Sequence, residues 1–194
     1  MHEKNDFQDG INFVEKEAWR KHGFQQLQNL IKENPQCKKC PYLLAQAQGR
    51  HGNVEEAIIA YQKLLNQNPN HVRGQFSLGI LYEKIGENKM AKDQYQKIIQ
   101  IDSSFSDAHH NLGVLFLKEG KMDKAKEKLL RVLEINGDDA DAHKVLAGIF
   151  YQEKDFRKAY PHLQKAKEGG LHVPEALLQE IKIGFLRQGN KKMN

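Results

Sequence analysis

Four alanines, Ala57, Ala91, Ala125 and Ala159, stand 34 residues apart along the chain. No other feature constrains the fold as strongly. A chain built from copies of one small unit is held together by stacking of neighbours, and about three or more copies are needed to bury their apolar faces. The same interval links Leu44, Leu78, Leu112 and Leu146 and the small residues that follow them, Ala45, Gly79, Gly113 and Ala147. It continues through Gln48, Tyr82, Phe116 and Phe150, then Tyr61, Tyr95, Leu129 and Leu163, then Leu64, Ile98, Val132 and Ala166. The units are therefore 38–71, 72–105, 106–139 and 140–173, flanked by residues 1–37 and 174–194.

Within each half-unit the apolar residues fall three and four apart, as in Leu112, Leu115 and Phe116 or Ala125, Leu129 and Val132, which is the spacing of amphipathic helices and not of strands. Between the halves sit Gly52, Gly86 and Gly120, with Lys154 in the fourth unit. Glycine ends a helix in the left-handed conformation at little steric cost, so each unit reads as helix, short turn, helix. The small residues after the first leucine and at the head of the second helix imply a close approach of the two.

At this point the chain resembles the tetratricopeptide repeat family, whose signature is a leucine-glycine pair, an aromatic three residues later, an alanine, an aromatic and a late proline. Unit 106–139 carries Leu112-Gly113, Phe116, Ala125 and Leu129, and unit 38–71 carries the late Pro69. It departs from the signature at Gln48, at Pro41, Gln75, His109 and His143 in the tryptophan position, and at Ser103, Gly137 and Leu171 in the proline position. The resemblance implies an all-α fold: a right-handed α-solenoid of helix-turn-helix repeats with N- and C-terminal capping helices. For the flanks, Ile11, Val14, Ala18, Phe24, Leu27, Leu30 and Ile31 suggest a degenerate repeat before the first unit. Pro174, Leu177, Leu178, Ile181 and Phe185 suggest a solvating helix after the last.

The resemblance also implies where function lies. In the family the first helices of successive units line a concave groove. Carried onto this chain, the peptide-binding positions are Tyr42, Gln46, Arg50, Arg73, Phe76, Ile80, Lys84, His110, Asn111, Val114, Leu117, Lys118, Lys144 and Tyr151. Tyr42, Phe76, Ile80, Val114, Leu117 and Tyr151 form an apolar stripe of the kind that marks partner sites. Arg50, Lys84 and Lys118 form a basic ladder at the repeat interval, with Arg73 and Lys144 beside it, suited to a partner carrying carboxylates. Lysines in the last turn of a helix also complement its dipole without any ligand. Members that clamp a chaperone C-terminal carboxylate need five defined polar residues, of which only Asn111 is matched here, so that specialisation is disfavoured.

Other chemistry is sparse. Cys37 and Cys40, the only cysteines, form a Cys-x-x-Cys pair that could be incidental, redox-active or half of a zinc site. Pro41 in place of a histidine excludes haem attachment. His109 and His143 occupy the tryptophan position and read as semi-buried packing residues; His110 alone points towards the groove. No phosphate loop, nucleophile elbow or paired metal motif is visible, so neither catalytic residues nor a cofactor are expected. A net charge of +5 allows an RNA-binding helical repeat as an alternative, yet 25 acidic against 30 basic residues leave only a modest excess, so nucleic acid is disfavoured. No long apolar run and no leader pattern appears. The expectation is thus a cytoplasmic, non-enzymatic interaction scaffold without a membrane segment, or a periplasmic or membrane-anchored one if a leader has been removed. Its expected partner is a protein or peptide with acidic and apolar residues, and a homo-oligomer is a further reading.

Overall fold

The structure is a computed structural model that describes residues 28–29, 32–33, 39–50 and 53–190. Most of the expected N-terminal repeat, including Ile11, Val14, Ala18, Phe24 and Leu27, lies outside the described residues, as does Cys37. The helices are α1 (Cys40–Arg50), α2 (Val54–Gln67), α3 (Val72–Lys84), α4 (Asn88–Ile101), α5 (Ser106–Lys118), α6 (Met122–Ile135), α7 (Ala140–Gln152), α8 (Phe156–Glu168) and α9 (Glu175–Asn190). Among the described residues there is no strand, and no helix is long and apolar enough to cross a membrane. The chain divides into two compact units, Met1–Ile101 with α1 to α4 and Asp102–Asn194 with α5 to α9.

In the first unit, α1 packs on α2 and α3 on α4, and α2 joins the two hairpins by packing on α3. The close approach within the second hairpin depends on Gly79, because a Cβ added there would lie 2.6 Å from Cε1 of Tyr95. Tyr95 is wholly buried, and its hydroxyl satisfies itself by donating to Glu83 Oε1 at 2.7 Å. Ala91 and Ile98 are equally buried on the same face of α4. The second unit repeats the arrangement. Ala125, Leu129 and Val132 on α6 have no exposed surface, and a Cβ on Gly113 would lie 3.1 Å from Cγ of Leu129. Each such large apolar side chain, taken out of water, contributes about 1.5–3 kcal/mol.

The turns inside the hairpins share one hydrogen-bond pattern. Glu87, Lys121 and Asp155 donate their backbone N–H groups to the carbonyls of Tyr82, Phe116 and Phe150 at 2.8, 2.9 and 2.9 Å. The residue before each is left-handed: Gly86 at φ +82°, Gly120 at +72° and Lys154 at +57°. Lys154 thus fills the glycine role that its sequence position implies, at the steric cost a Cβ incurs there.

Between hairpins a second device recurs. Gln75 Nε2 donates to the Pro69 carbonyl at 2.6 Å, His109 Nε2 lies 3.1 Å from the Ser103 carbonyl, and His143 Nε2 lies 3.0 Å from that of Gly137. Each bond runs from the tryptophan position to a carbonyl six residues earlier. It ties the start of a first helix to the turn before it. The two histidines are only 4% and 5% exposed, more deeply placed than the semi-buried packing role expected from sequence.

Replacing Lys154 with glycine should therefore raise the stability of the second unit by about 1 kcal/mol, the gain expected from relieving a side chain held at positive φ. Gly79→Ala should lower that of the first by about 1–3 kcal/mol through overpacking against Tyr95. Urea unfolding of the two variants checks both signs.

Candidate functional site

Each first helix turns one face to its own hairpin and leaves the other as candidate binding surface. In the first unit the apolar residues expected there divide into two kinds. Tyr42 sets its ring 5.9 Å from that of Tyr61 and 5.3 Å from His71, and Phe76 sits 5.9 Å from Tyr95. Both are half-buried and partly engaged in holding the hairpins together, which the sequence reading had not assigned to them. Ile80 differs: it is 44% exposed, with Arg73 and Lys84 exposed on the same helix. Residues seven and four apart share a helical face, so the three form a short apolar and basic stripe. Gln46 is half-buried, and the side chain of Arg50 lies outside the described residues.

In the second unit His110, Asn111, Val114 and Leu117 are half-buried on α5, while Lys118 there and Lys144 on α7 are exposed. Tyr151 rests edge-on against Phe156 at 6.0 Å and donates its hydroxyl to Glu180 Oε1 at 2.7 Å. That bond to a carboxylate, with a little desolvation, raises the phenol above its ordinary range. Beside Lys144 and Tyr151 lies a recess of about 210 Å³, closed by Leu177 and Ile181 of α9. Sequence reasoning missed it, because it exists only once α9 is placed.

The other candidates resolve differently. Cys40 is fully buried and disulfide-bonded, so it offers no thiolate to a metal. Among the described residues no group of three or more His, Cys, Asp or Glu side chains could hold a metal ion. The histidines form a structural pair instead. His143 Nδ1 lies 2.7 Å from His162 Nδ1, and the rings tilt together at 5.0 Å. Since His143 gives its Nε2–H to the Gly137 carbonyl, its Nδ1 is the acceptor and His162 donates from Nδ1–H. Burial, then His143 and Lys165, push His162 down to about 4. His109 is also lowered, chiefly by burial, and its Nδ1 is buried without a hydrogen-bond partner.

Comparison with known proteins agrees with the helical-repeat fold. Two family models, each described as tetratricopeptide repeat, match residues 86–149 and 42–104, together more than half of the 194-residue chain. No curated protein matches the sequence significantly. Among solved structures, the fold is similar to that of PilF from Pseudomonas aeruginosa, with a TM-score of 0.76 at 17% identity over 95% of this chain and 87% of that one. MamA from Desulfovibrio magneticus gives 0.73 at 16% identity over 87% and 95%. A tetratricopeptide repeat protein from Parabacteroides merdae gives 0.72 at 18% identity over 84% and 64%. Likeness at these identities shows an all-α tetratricopeptide repeat fold.

The histidine pair has a measurable consequence. The folded His162 takes up its proton only near pH 4, whereas the unfolded one does so near the ordinary imidazole value of 6.5. The folded state therefore binds fewer protons between these values, and the stability this contributes, present above about 6.5, is lost as the pH falls towards 4. The loss should be on the order of 2–3 kcal/mol. Urea titrations from pH 7 to 4 should show it, and His162→Gln should flatten the slope.

Proposed function

We propose, for a chain that belongs to the tetratricopeptide repeat family, that it is a non-enzymatic scaffold holding a peptide or helix of a protein partner in the concave groove lined by its first helices. The role is one of assembly, bringing that partner into a larger complex. The observation that carries this reading is the stripe Arg73, Ile80 and Lys84. An isoleucine left 44% exposed between two exposed cations is not needed by the hairpin beneath it, whose core is already filled by Leu78, Leu81 and Tyr82. An apolar centre with a charged rim is how partner surfaces are commonly built. In the second unit Val114 and Leu117 with Lys118 and Lys144 supply the same chemistry, and Tyr151 adds an aromatic edge.

The basic rim favours a partner segment with carboxylates and speeds encounter more than it tightens the complex. Nucleic acid is the poorer occupant, because Asp107 and Asp141 stand among the lysines of the second unit's first helices. Affinity recovery of partners from a lysate should fall several-fold for an Ile80→Ser, Lys84→Ala double variant, with the helical circular dichroism of the wild type retained. Undiminished recovery would sink the assignment of this stripe. Single-stranded RNA should show no binding even at low salt, where counterion release would favour it most.

A further inference from the structure

We infer that the recess between α7 and α9 is a receptor for one bulky apolar side chain of a partner peptide, of leucine, methionine or phenylalanine size, with a neighbouring carboxylate of that peptide paired to Lys144. The inference rests on the peptide-scaffold reading and narrows it to one pocket and one kind of segment.

The recess has the dimensions for such a side chain. Its volume is about 210 Å³, and an apolar cavity of about 150 Å³ suffices for a benzene ring. Its depth is apolar: Leu163, Val173 and Ile181 line it and are 4%, 8% and 1% exposed. Its mouth is basic. Lys144 and His172 border it and are exposed, and no carboxylate lines it. Among the described residues Lys144 makes no ion pair, while Glu180, across on α9, is engaged by the Tyr151 hydroxyl. An aliphatic or aromatic residue with an acidic neighbour would satisfy both the depth and the rim.

Gly148 is the detail that separates this recess from an ordinary gap in packing. It lines the pocket and is exposed, and a Cβ built on it would meet no atom within 4 Å. Gly79 and Gly113 are small because a tyrosine or leucine presses on them; Gly148 is not pressed by anything. At the corresponding places the other units carry Gln46, Ile80 and Val114. A glycine in mid-helix is less stable than alanine, so the fold forgoes helix stability here and keeps the mouth open.

The test is selection of phage-displayed random dodecapeptides on the full chain, followed by affinity measurement of the enriched peptides. They should share a Leu, Met or Phe with an Asp or Glu within three residues. Gly148→Leu should weaken them tenfold or more while leaving the melting temperature equal or higher, and Lys144→Gln should weaken them about fivefold and remove most of their salt dependence. Changing the bulky residue of the peptide to alanine should cost tenfold against the wild type, a comparison that holds even if a protein variant folds poorly, and nothing further against Gly148→Leu. A selection that enriches nothing, peptides lacking this pair, or affinity within twofold for Gly148→Leu would overturn the pocket. If affinity instead falls for the Ile80 variant, the scaffold reading survives and the pocket alone is lost. A wild-type dimer that Gly148→Leu converts to monomer would also overturn it, naming a second copy as the occupant.

Discussion

The closeness of two helices within each hairpin is the constraint from which the other features follow. Gly79 admits the ring of Tyr95 and Gly113 admits Leu129, while Ala91, Ala125 and Ala159 let the second helices lie flush. At that distance one face of the first helix is consumed by residues such as Leu78 and Tyr82, Leu112 and Phe116, and Leu146 and Phe150, all buried. Part of what remains packs on the preceding hairpin, and the rest is spare. Whatever chemistry the protein presents to others must therefore be carried by residues that the hairpin does not need, chosen one at a time from helix to helix.

Polar groups are placed with equal economy. In the second unit His109 and His143 lie in the core, where a charged imidazole would be poorly solvated. The His143 to His162 contact uses one ring as donor and the other as acceptor, a division that works only while at least one ring stays neutral. On the surface, ion pairs such as Lys126 to Glu153 at 2.6 Å link α6 to the turn after α7. Such exposed pairs add little to stability. The buried imidazoles carry more weight than the many exposed charges.

The periodic part of this architecture was legible from spacing alone, because stacking repeats its demands every unit. The alanines, the helix pairs and even the odd Lys154 at a glycine turn could be placed by counting. Counting was less informative for surface residues. Tyr42 and Phe76 sit at groove positions by register, yet an aromatic side chain is long enough to reach sideways onto Tyr61, His71 or Tyr95. The recess at Gly148 was hidden for another reason. A step of 34 from Leu146 arrives at exposed Glu180, whereas the buried residue is Ile181, so α9 is one residue out of register and cannot be docked by the repeat rule.

The contacts from Gln75, His109 and His143 to the carbonyls of Pro69, Ser103 and Gly137 also account for the chain's departures from its family pattern at those donors and at Ser103 and Gly137; Pro41, with no side-chain N–H, stands outside this pattern. The acceptor is main chain, which every amino acid supplies, so proline, serine and glycine can interchange there without loss. The donor must be a side chain of the right reach bearing an N–H, a property shared by glutamine, histidine and tryptophan but by few others. Drift at these three joints is thus one-sided: free where the backbone answers, and confined to a small chemical alphabet where the side chain asks.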